Sequence, residues 1–228
     1  MTGRAKAPTQ DRRRRDTRDR LVNAAVEVFR RRGPGGAGLA EVCKRGNTTK
    51  GVLSHHFPGG KAELLTAAIK QSSGEVSALL EDLIEQSPTV PKTIRAFFDT
   101  YADLLDADPN SGCPVAAAVV DSSAEDPEVR QLAAEAFFEW TRTIADALVE
   151  QGWRREAARQ MATTTVAAAE GAILLARAGD DPDLVRQTGR WLARIASKVN
   201  ATIPGHGSSG NGEGPLVDRS QRKPAETR

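Results

Sequence analysis

Cysteine, aromatic side chains and long uncharged hydrophobic runs are all scarce in this 228-residue sequence. The most apolar stretch, residues 161–178, contains Glu170 and Arg177, which favours a buried helix over a membrane span. Cys43 and Cys113 form no CxxC pair, so we expect reduced thiols in a cytoplasmic protein rather than a disulfide scaffold. The basic N-terminal residues are not followed by an apolar run, so they do not resemble a signal peptide.

The common catalytic and nucleotide-binding motifs are also missing. The sequence contains no GxSxG, HExxH, P-loop or dinucleotide-binding pattern. The acidic residues Asp121, Glu125 and Asp126 stand beside a helix start, where capping and solvation explain them. His55 and His56 are adjacent, so they do not share a helix face, and no third metal ligand is evident. We therefore expect no enzyme activity, no metal and no cofactor.

Helix-forming residues dominate what is present. Aromatic residues make up 4% of the chain, alanine is abundant, and no segment shows the alternation typical of a β-strand. The sequence predicts an all-α protein with about nine helices. A three-helix helix-turn-helix head would precede a C-terminal antiparallel helical bundle.

Positive charge is concentrated at one end of the chain. Residues 1–65 hold 15 Lys and Arg against six Asp and Glu, a net of +9, whereas the remainder holds 17 against 24, a net of −7. Residues 1–20 alone carry eight positive and three negative side chains. A disordered basic tail is the alternative and would hold about half of this excess, but the distribution favours a nucleic-acid-binding head on an acidic body.

Glycine and proline divide the chain into segments. We predict a disordered basic arm (1–16), a basic helical head (17–65), a larger helical domain (66–203), to which the resemblance described below assigns effector binding and dimerisation, and a disordered tail (204–228). Breaks are expected at Gly33-Pro34 and at Pro58-Gly59-Gly60. Four prolines are each predicted to open a later helix: Pro91, Pro114, Pro127 and Pro182.

The head contains a short helix, a tight turn and a second short helix, which is the helix-turn-helix pattern. Asn47 suits the left-handed backbone conformation of the turn, and the second helix should run from Thr48 to about His55. That helix would enter the major groove while flanking elements hold phosphates. Four apolar residues are expected to fix the angle between the helices: Leu39, Val42, Val52 and Leu53.

Residues 50–65, KGVLSHHFPGGKAELL, resemble the end of the recognition helix and the start of the next helix in TetR-family regulators. The helix at residues 21–29, the glycine Gly33 and the helix at residues 39–45 match the family's spacing. The HHFPGGK form and the later segment SGCPVA, residues 111–116, resemble the LmrA/YxaF-like branch. The resemblance covers residues 17–66 closely and 91–200 more loosely.

The resemblance implies which side chains contact DNA. The candidates are Thr48, Thr49, Lys50, Ser54, His55 and Lys61. The first three would begin the recognition helix, and Lys61 would begin the next helix, whose backbone N–H groups also attract phosphate. The sequence departs from the family at Asn47 (usually glycine), at Ser54 (usually tyrosine) and at Ala37-Gly38 (usually hydroxyl residues). These departures are expected to affect the affinity for DNA more than the fold. The basic arm is a candidate to restore that affinity through additional phosphate contacts.

The resemblance also raises the prospect of an apolar ligand cavity in the C-terminal domain. The candidate lining residues are Phe98, Tyr101, Cys113, Phe137, Trp140 and Met161. Ordinary core packing is the alternative for each of them, while Tyr101 and Trp140 would supply polar groups to a ligand. Cys113 stands at a loop–helix junction that would expose it, which leaves a redox-sensor role open.

The last two helices are the candidate dimer interface. The residues chosen are Ala168, Ala172, Leu184, Trp191, Leu192 and Ile195. Burial within the monomer is the alternative, but the resemblance implies a four-helix interface between two chains. Two heads on a two-fold axis suit a palindromic DNA site.

These features together predict a sequence-specific DNA-binding transcriptional regulator. We expect a homodimeric repressor that a small apolar ligand releases from its double-stranded operator. The alternative is a DNA-binding regulator without a small-molecule effector, controlled by a protein partner or by cysteine oxidation.

Overall fold

The computed structural model describes residues 10–121 and 127–202, and every regular element in those ranges is an α-helix. The nine helices are α1 (Gln10–Gly36), α2 (Leu39–Arg45), α3 (Lys50–His56), α4 (Gly60–Gln86), α5 (Val90–Ala107), α6 (Pro114–Asp121), α7 (Pro127–Glu150), α8 (Arg155–Gly179) and α9 (Pro182–Thr202). The predicted all-α class with about nine helices is confirmed.

Proline opens the later helices as expected. α6, α7 and α9 begin at a proline, and Pro91 is in the first turn of α5. The fixed φ of proline suits a first turn, where the missing N–H has no helical partner. Residues with positive φ end two of the helices: Gly152 (φ 88°) follows α7, and Asp180 (φ 50°) follows α8.

The first helix begins earlier than its sequence pattern indicates. α1 starts at Gln10 instead of Thr17, so residues 10–16 are helical and the prediction of a disordered arm up to residue 16 is wrong for them. Those residues have no apolar face, so hydrophobic periodicity cannot detect them, although arginine and glutamine are good helix formers. Residues 1–9 of the predicted arm and the predicted tail at 204–228 are outside the described residues.

Gly33 breaks α1 near its end. Its backbone (φ 67°, ψ 162°) is not helical, and this break accommodates Pro34 immediately after it. The structure therefore has a discontinuity where the sequence predicts one, followed by a short turn that ends at Gly36.

α4 connects the head to the bundle. It has 27 residues, a length of about 40 Å, and packs against α1, α5, α6 and α7. The predicted boundary at residue 65 therefore falls inside one continuous helix. α5 lies along α9, and α7 lies against α8.

Two contacts fix α9 against α5. Gly189 packs directly on Phe98, whose side chain is completely buried. The guanidinium group of Arg186 binds Asp103 and Asp106 on α5, with the Asp103 carboxylate 2.6 Å away. These contacts make α9 part of the folded core of the single chain.

Candidate DNA interface and effector cavity

The turn between α2 and α3 has the geometry that its sequence predicts. The N–H of Gly46 donates to the carbonyl oxygen of Val42 (2.8 Å), and the N–H of Thr48 donates to that of Cys43 (2.9 Å). Asn47 adopts the left-handed conformation with φ 49°. The two short helices are thus held at a fixed angle by backbone hydrogen bonds as well as by the buried Val42 and Leu53.

α3 begins two residues later than predicted, because Thr49 caps it. The Thr49 hydroxyl oxygen accepts a hydrogen bond from the N–H of Val52 (3.3 Å), as an N-cap residue does. Among the described residues, the Thr48 hydroxyl is buried without a hydrogen-bond partner, and a contact of Thr48 with DNA stays a prediction.

Three of the predicted DNA-binding residues lie exposed on α3: Lys50, Ser54 and His55. Leu53 faces inward at 1% exposure, and Phe57 closes the head at 0%. Val52 is more open than its expected packing role suggests, because it is 37% exposed. α3 therefore presents a mainly polar face with one valine on it.

Basic residues of α1 lie beside the end of α3. The Arg18 guanidinium group stacks over the Phe57 ring, 4.9 Å from its centre. Burial, followed by the positive charges of His55, Arg14 and Arg18, lowers the pKa of His56. The early start of α1 thus brings its arginines to the surface that α3 presents, where they add to the positive potential.

The start of α4 offers less to a phosphate than the sequence implies. The N–H of Gly59 already donates to the Glu63 carboxylate (2.9 Å), and Lys61 is half-buried. Glu63 therefore occupies a backbone donor that would otherwise be available to an anion. Lys61 remains a candidate through its ammonium group alone.

A cavity of about 170 Å³ lies between the head and the bundle. Helices α1, α4, α5, α6 and α8 and the loop before α6 all contribute to its wall. Two of the candidate ligand-binding residues, Tyr101 and Cys113, line it together with apolar side chains such as Leu79, Leu105 and Ile173.

Four of the six predicted ligand-binding residues do not line this cavity: Phe98, Phe137, Trp140 and Met161. Phe98 packs on α9, and Met161 is buried at 8% exposure. The indole N–H of Trp140 donates to the carbonyl oxygen of Ser73 (3.2 Å), so it is not available to a ligand. Phe137 packs edge-to-face on Trp140, with 5.3 Å between ring centres. The alternative of ordinary core packing accounts for these four.

Sequence reasoning missed the charged residues of the cavity wall. Arg30 of α1 and Glu75 of α4 both line it and form an ion pair at 3.7 Å. Arg30 follows the apolar face of α1 and resembles any solvated arginine there, so no local signal marks it.

Acidic and thiol groups meet behind this wall. Burial raises the pKa of the Glu170 carboxyl group to about 7. Burial, followed by the charge of Glu170, raises the pKa of Cys113, and burial chiefly raises that of Tyr101. Cys113 is 7% exposed and its sulfur accepts from the N–H of Ala116 (3.4 Å). The expectation that Cys113 is exposed is wrong, and a protonated, buried thiol does not suit redox sensing.

Polar contacts link the cavity wall to the end of α1. Arg31 binds Asp108, on the loop before α6, at 2.8 Å, and the Arg31 carbonyl oxygen accepts from Arg177 of α8 at 3.2 Å. At the end of α6, the Asp121 carboxylate accepts from the N–H of Gly35 at 2.6 Å. The head is therefore joined to the elements that surround the cavity.

The candidate dimer residues divide into two groups. Ala172 and Leu192 are 4% and 3% exposed, so they belong to the core of the single chain and leave no surface for a partner. Ala168, Leu184 and Ile195 are half-buried, and Trp191 is 58% exposed. Two further exposed residues of α8 were not predicted: Leu174 (67%) and Leu175 (60%). They lie next to buried alanines, and the helical pattern alone does not show which side of α8 the bundle covers.

Two classes of site are not found in the described part of the chain. Residues 10–121 and 127–202 hold no group of three His, Cys, Asp or Glu side chains suited to a metal. None of the helices there is long and apolar enough to cross a membrane.

Comparison with known proteins identifies both halves of the chain. Residues 21–68 match the model for bacterial regulatory proteins of the tetR family, and residues 91–190 match the C-terminal domain of LmrA/YxaF-like transcriptional regulators. An uncharacterized HTH-type transcriptional regulator of Mycobacterium tuberculosis is 30% identical over 170 residues, 72% of this chain and 86% of that protein. The HTH-type transcriptional regulator LmrA of Bacillus subtilis is 28% identical over 161 residues, 70% and 86% of the respective chains.

Solved structures share the fold. A TetR transcriptional regulator from Legionella pneumophila superposes with a TM-score of 0.70 at 19% identity, covering 83% of this chain and 98% of that one. FadR from Bacillus subtilis, in complex with stearoyl-CoA, superposes with a TM-score of 0.60 at 17% identity, covering 79% and 98%. The similar proteins of Mycobacterium tuberculosis and Bacillus subtilis are HTH-type transcriptional regulators, so the prediction of a transcriptional regulator is confirmed. The chain belongs to the TetR family of helix-turn-helix transcriptional regulators, in its LmrA/YxaF-like branch.

Proposed function

We propose that this regulator is a homodimeric repressor that binds a palindromic operator and is released from it by a small, largely apolar ligand. The observation that carries the ligand part is the position of Arg30. This residue belongs to α1 of the head and at the same time lines the cavity. A molecule bound there would contact the DNA-binding head directly.

Operator binding would use α3 and the basic start of α1. Lys50, Ser54 and His55 are exposed on one short helix, and Thr49 positions its first turn by capping it. Arg14 and Arg18 are exposed beside it and suit the phosphate backbone. Because the operator is genomic DNA, we place the protein in the cytoplasm.

Dimerisation would use the outer faces of α8 and α9. Leu174, Leu175 and Trp191 expose apolar surface on these two helices, and Arg190 and Arg194 flank Trp191. Burial of such side chains is the main favourable term in association. A two-fold arrangement would present two copies of α3 to successive turns of the major groove.

Release would depend on the polar contacts that link the cavity wall to the end of α1. Arg31 is held by Asp108 and Arg177, and Gly35 is held by Asp121. A ligand that displaces Arg30 from Glu75 would disturb the same end of α1. Linkage requires that operator DNA weaken ligand binding by the factor by which ligand weakens operator binding.

The size of the cavity limits the ligand. At about 170 Å³ it is smaller than the pockets that hold drug-sized molecules, which begin at roughly 300 Å³. FadR carries stearoyl-CoA in the same fold, but a ligand of that size would require this cavity to expand. The proposed effector is therefore a compact molecule.

The experiment has two steps. The purified full chain is mixed with sheared genomic DNA from its source at moderate salt, and the bound fragments are sequenced. Enrichment of one palindrome supports the operator, whereas uniform binding that disappears as salt rises contradicts sequence-specific recognition.

The recovered operator then serves in a release assay. Compact apolar compounds are screened for displacement of labelled operator, and each active compound is tested again on Val76→Phe, which fills the cavity. Loss of the response in the variant supports the cavity as effector site. Release that is unaffected by the variant places the effector elsewhere.

A further inference from the structure

Val52 stands out on the face of α3 that the head leaves open. It is 37% exposed, although the core of the head is already complete with Val42, Leu53 and Phe57, each at 1% exposure or less. Thr49 and His55 lie three residues to either side of Val52, so the three share one stripe of the helix. Val52 is thus an apolar group between two polar ones on an outward face.

Gly51, the preceding residue, has no structural need to be glycine. Its φ is not positive, and a Cβ there would meet only the Thr49 hydroxyl oxygen, at 3.9 Å. Glycine inside a helix is less favourable than alanine, so the fold would accept a larger residue with a gain in helix stability. A surface that approaches the backbone of α3 closely would explain the missing side chain.

We propose that Val52 reads a thymine by contact with its C5-methyl group, and that Gly51 permits the close approach of α3 that this contact requires. The proposal rests on operator binding through α3 and adds which base feature is recognised. Thymine alone presents a methyl group in the major groove, and a valine side chain has no hydrogen-bonding group with which to read any other edge.

The charge around Val52 favours DNA as the occupant of this face. Lys50 precedes it, and Arg14 and Arg18 of α1 lie close to His56 at the end of the same helix. An apolar residue within a positively charged surface fits the major groove, where methyl groups are flanked by phosphates. A hydrophobic protein partner would instead require neighbouring apolar side chains, which the exposed residues of α3 do not provide.

The first test removes the methyl group from the DNA. In the operator recovered from genomic DNA, each thymine is replaced in turn by deoxyuracil, symmetrically in both half-sites, and affinity is measured with the full-length protein. We expect one position at which the wild-type chain loses about fourfold in affinity per half-site, the value for one methyl-sized contact. Val52→Ala should bind the unmodified operator more weakly and should not respond to the replacement at that position.

Val120→Ala is the matched control. Val120 is 83% exposed on α6, outside the head, so its truncation should leave both the affinity and the response to deoxyuracil unchanged. Circular dichroism melting verifies that all variants are folded. If no thymine responds, or if Val52→Ala keeps the full response, the proposal is overturned while the operator itself stands. Failure to recover any operator would overturn the proposed function instead.

The second test concerns Gly51. Gly51→Ala should melt at the same or a higher temperature than the wild-type protein, and its operator affinity should fall by about tenfold or more, the scale of one lost base contact. Gly74→Ala, an exposed helical glycine of α4 with open space around it, controls for the general effect of the substitution. Unchanged operator affinity in Gly51→Ala would contradict the close approach.

Discussion

Glu170 shows how a single buried group makes stability depend on pH. Its carboxyl group is kept from water beside Cys113, and this burial raises its pKa from 4.5 to about 7. The folded protein therefore keeps this proton over a pH range in which the unfolded chain has lost it. The resulting stabilisation is fully present below pH 4.5 and is lost as pH rises towards 7.

We predict that Glu170→Gln removes this loss. Relative to the variant, the free energy of unfolding of the wild-type protein should fall by roughly 3 kcal/mol between mildly acidic and neutral pH. Urea unfolding of both proteins at a series of pH values measures the difference. Parallel pH profiles would show that Glu170 titrates normally.

Asn47 bears on stability through its backbone. A left-handed φ of 49° is unfavourable for most residues, tolerated by asparagine and free of strain for glycine. We predict that Asn47→Ala lowers the free energy of unfolding by about 1 kcal/mol, whereas Asn47→Gly does not lower it. Chemical denaturation compares the two. Equal destabilisation by both would mean that the asparagine side chain, and not the turn, is responsible.

At the scale of elements, local signals predicted the helices well. Proline and glycine fix φ or release it whatever the tertiary context, so the breaks near Gly33, Asn47 and Gly59 and the starts at Pro114, Pro127 and Pro182 were all visible in the sequence. Two helices, α1 and α3, begin at residues other than those predicted, for separate reasons. The start of α1 has no apolar face, and Thr49 became a cap where a helical residue was expected.

The candidate site was less predictable, because it depends on which helices meet. The exposed positions of α3 follow from spacing within one short helix. The cavity depends on gaps between five elements, and the sequence does not show that Phe98 is used against α9 or that Trp140 donates to α4. Arg30 and Glu75 could not be distinguished from solvated charges until α1 and α4 were placed together.

The contact between α5 and α9 gives a prediction at this scale. A Cβ on Gly189 would lie 2.4 Å from the Cβ of Phe98, so the helices would have to separate. We predict that Gly189→Ala lowers the free energy of unfolding by about 1–3 kcal/mol through overpacking. Gly74→Ala, with open space around it, should not do so. Thermal or chemical unfolding measures the stability of both variants. Equal stability of Gly189→Ala and Gly74→Ala would show that α9 can move away from α5 without loss of stability.

At the scale of the whole molecule, the proposed dimer depends on a few exposed side chains of α8 and α9. We predict that Trp191→Glu weakens self-association and, with it, operator binding, because a charge would be buried at the interface. Sedimentation velocity over a range of concentrations measures the first effect, and operator titration measures the second.

Phe138→Ser provides the comparison for this prediction. Phe138 is 70% exposed on α7, a helix that the proposed interface does not include, and its replacement should leave the dimer intact. Dissociation caused by Phe138→Ser, with none caused by Trp191→Glu, would place the interface on α7.

The double position of Arg30 has a consequence for building hybrid regulators. Exchanging heads between relatives assumes that the first helices carry only operator specificity and that the bundle carries only effector specificity. Here α1 supplies part of the cavity wall, and Arg31 and Gly35 make the joint with Asp108 and Asp121. A head exchanged as a block would therefore bring a foreign residue into the cavity. It would also lose the contacts of α1 with Asp108 and Asp121. A functional hybrid of this chain would exchange α2 and α3 but keep Arg30, Arg31 and Gly35 of α1, so that recognition of the operator and response to the effector are inherited separately.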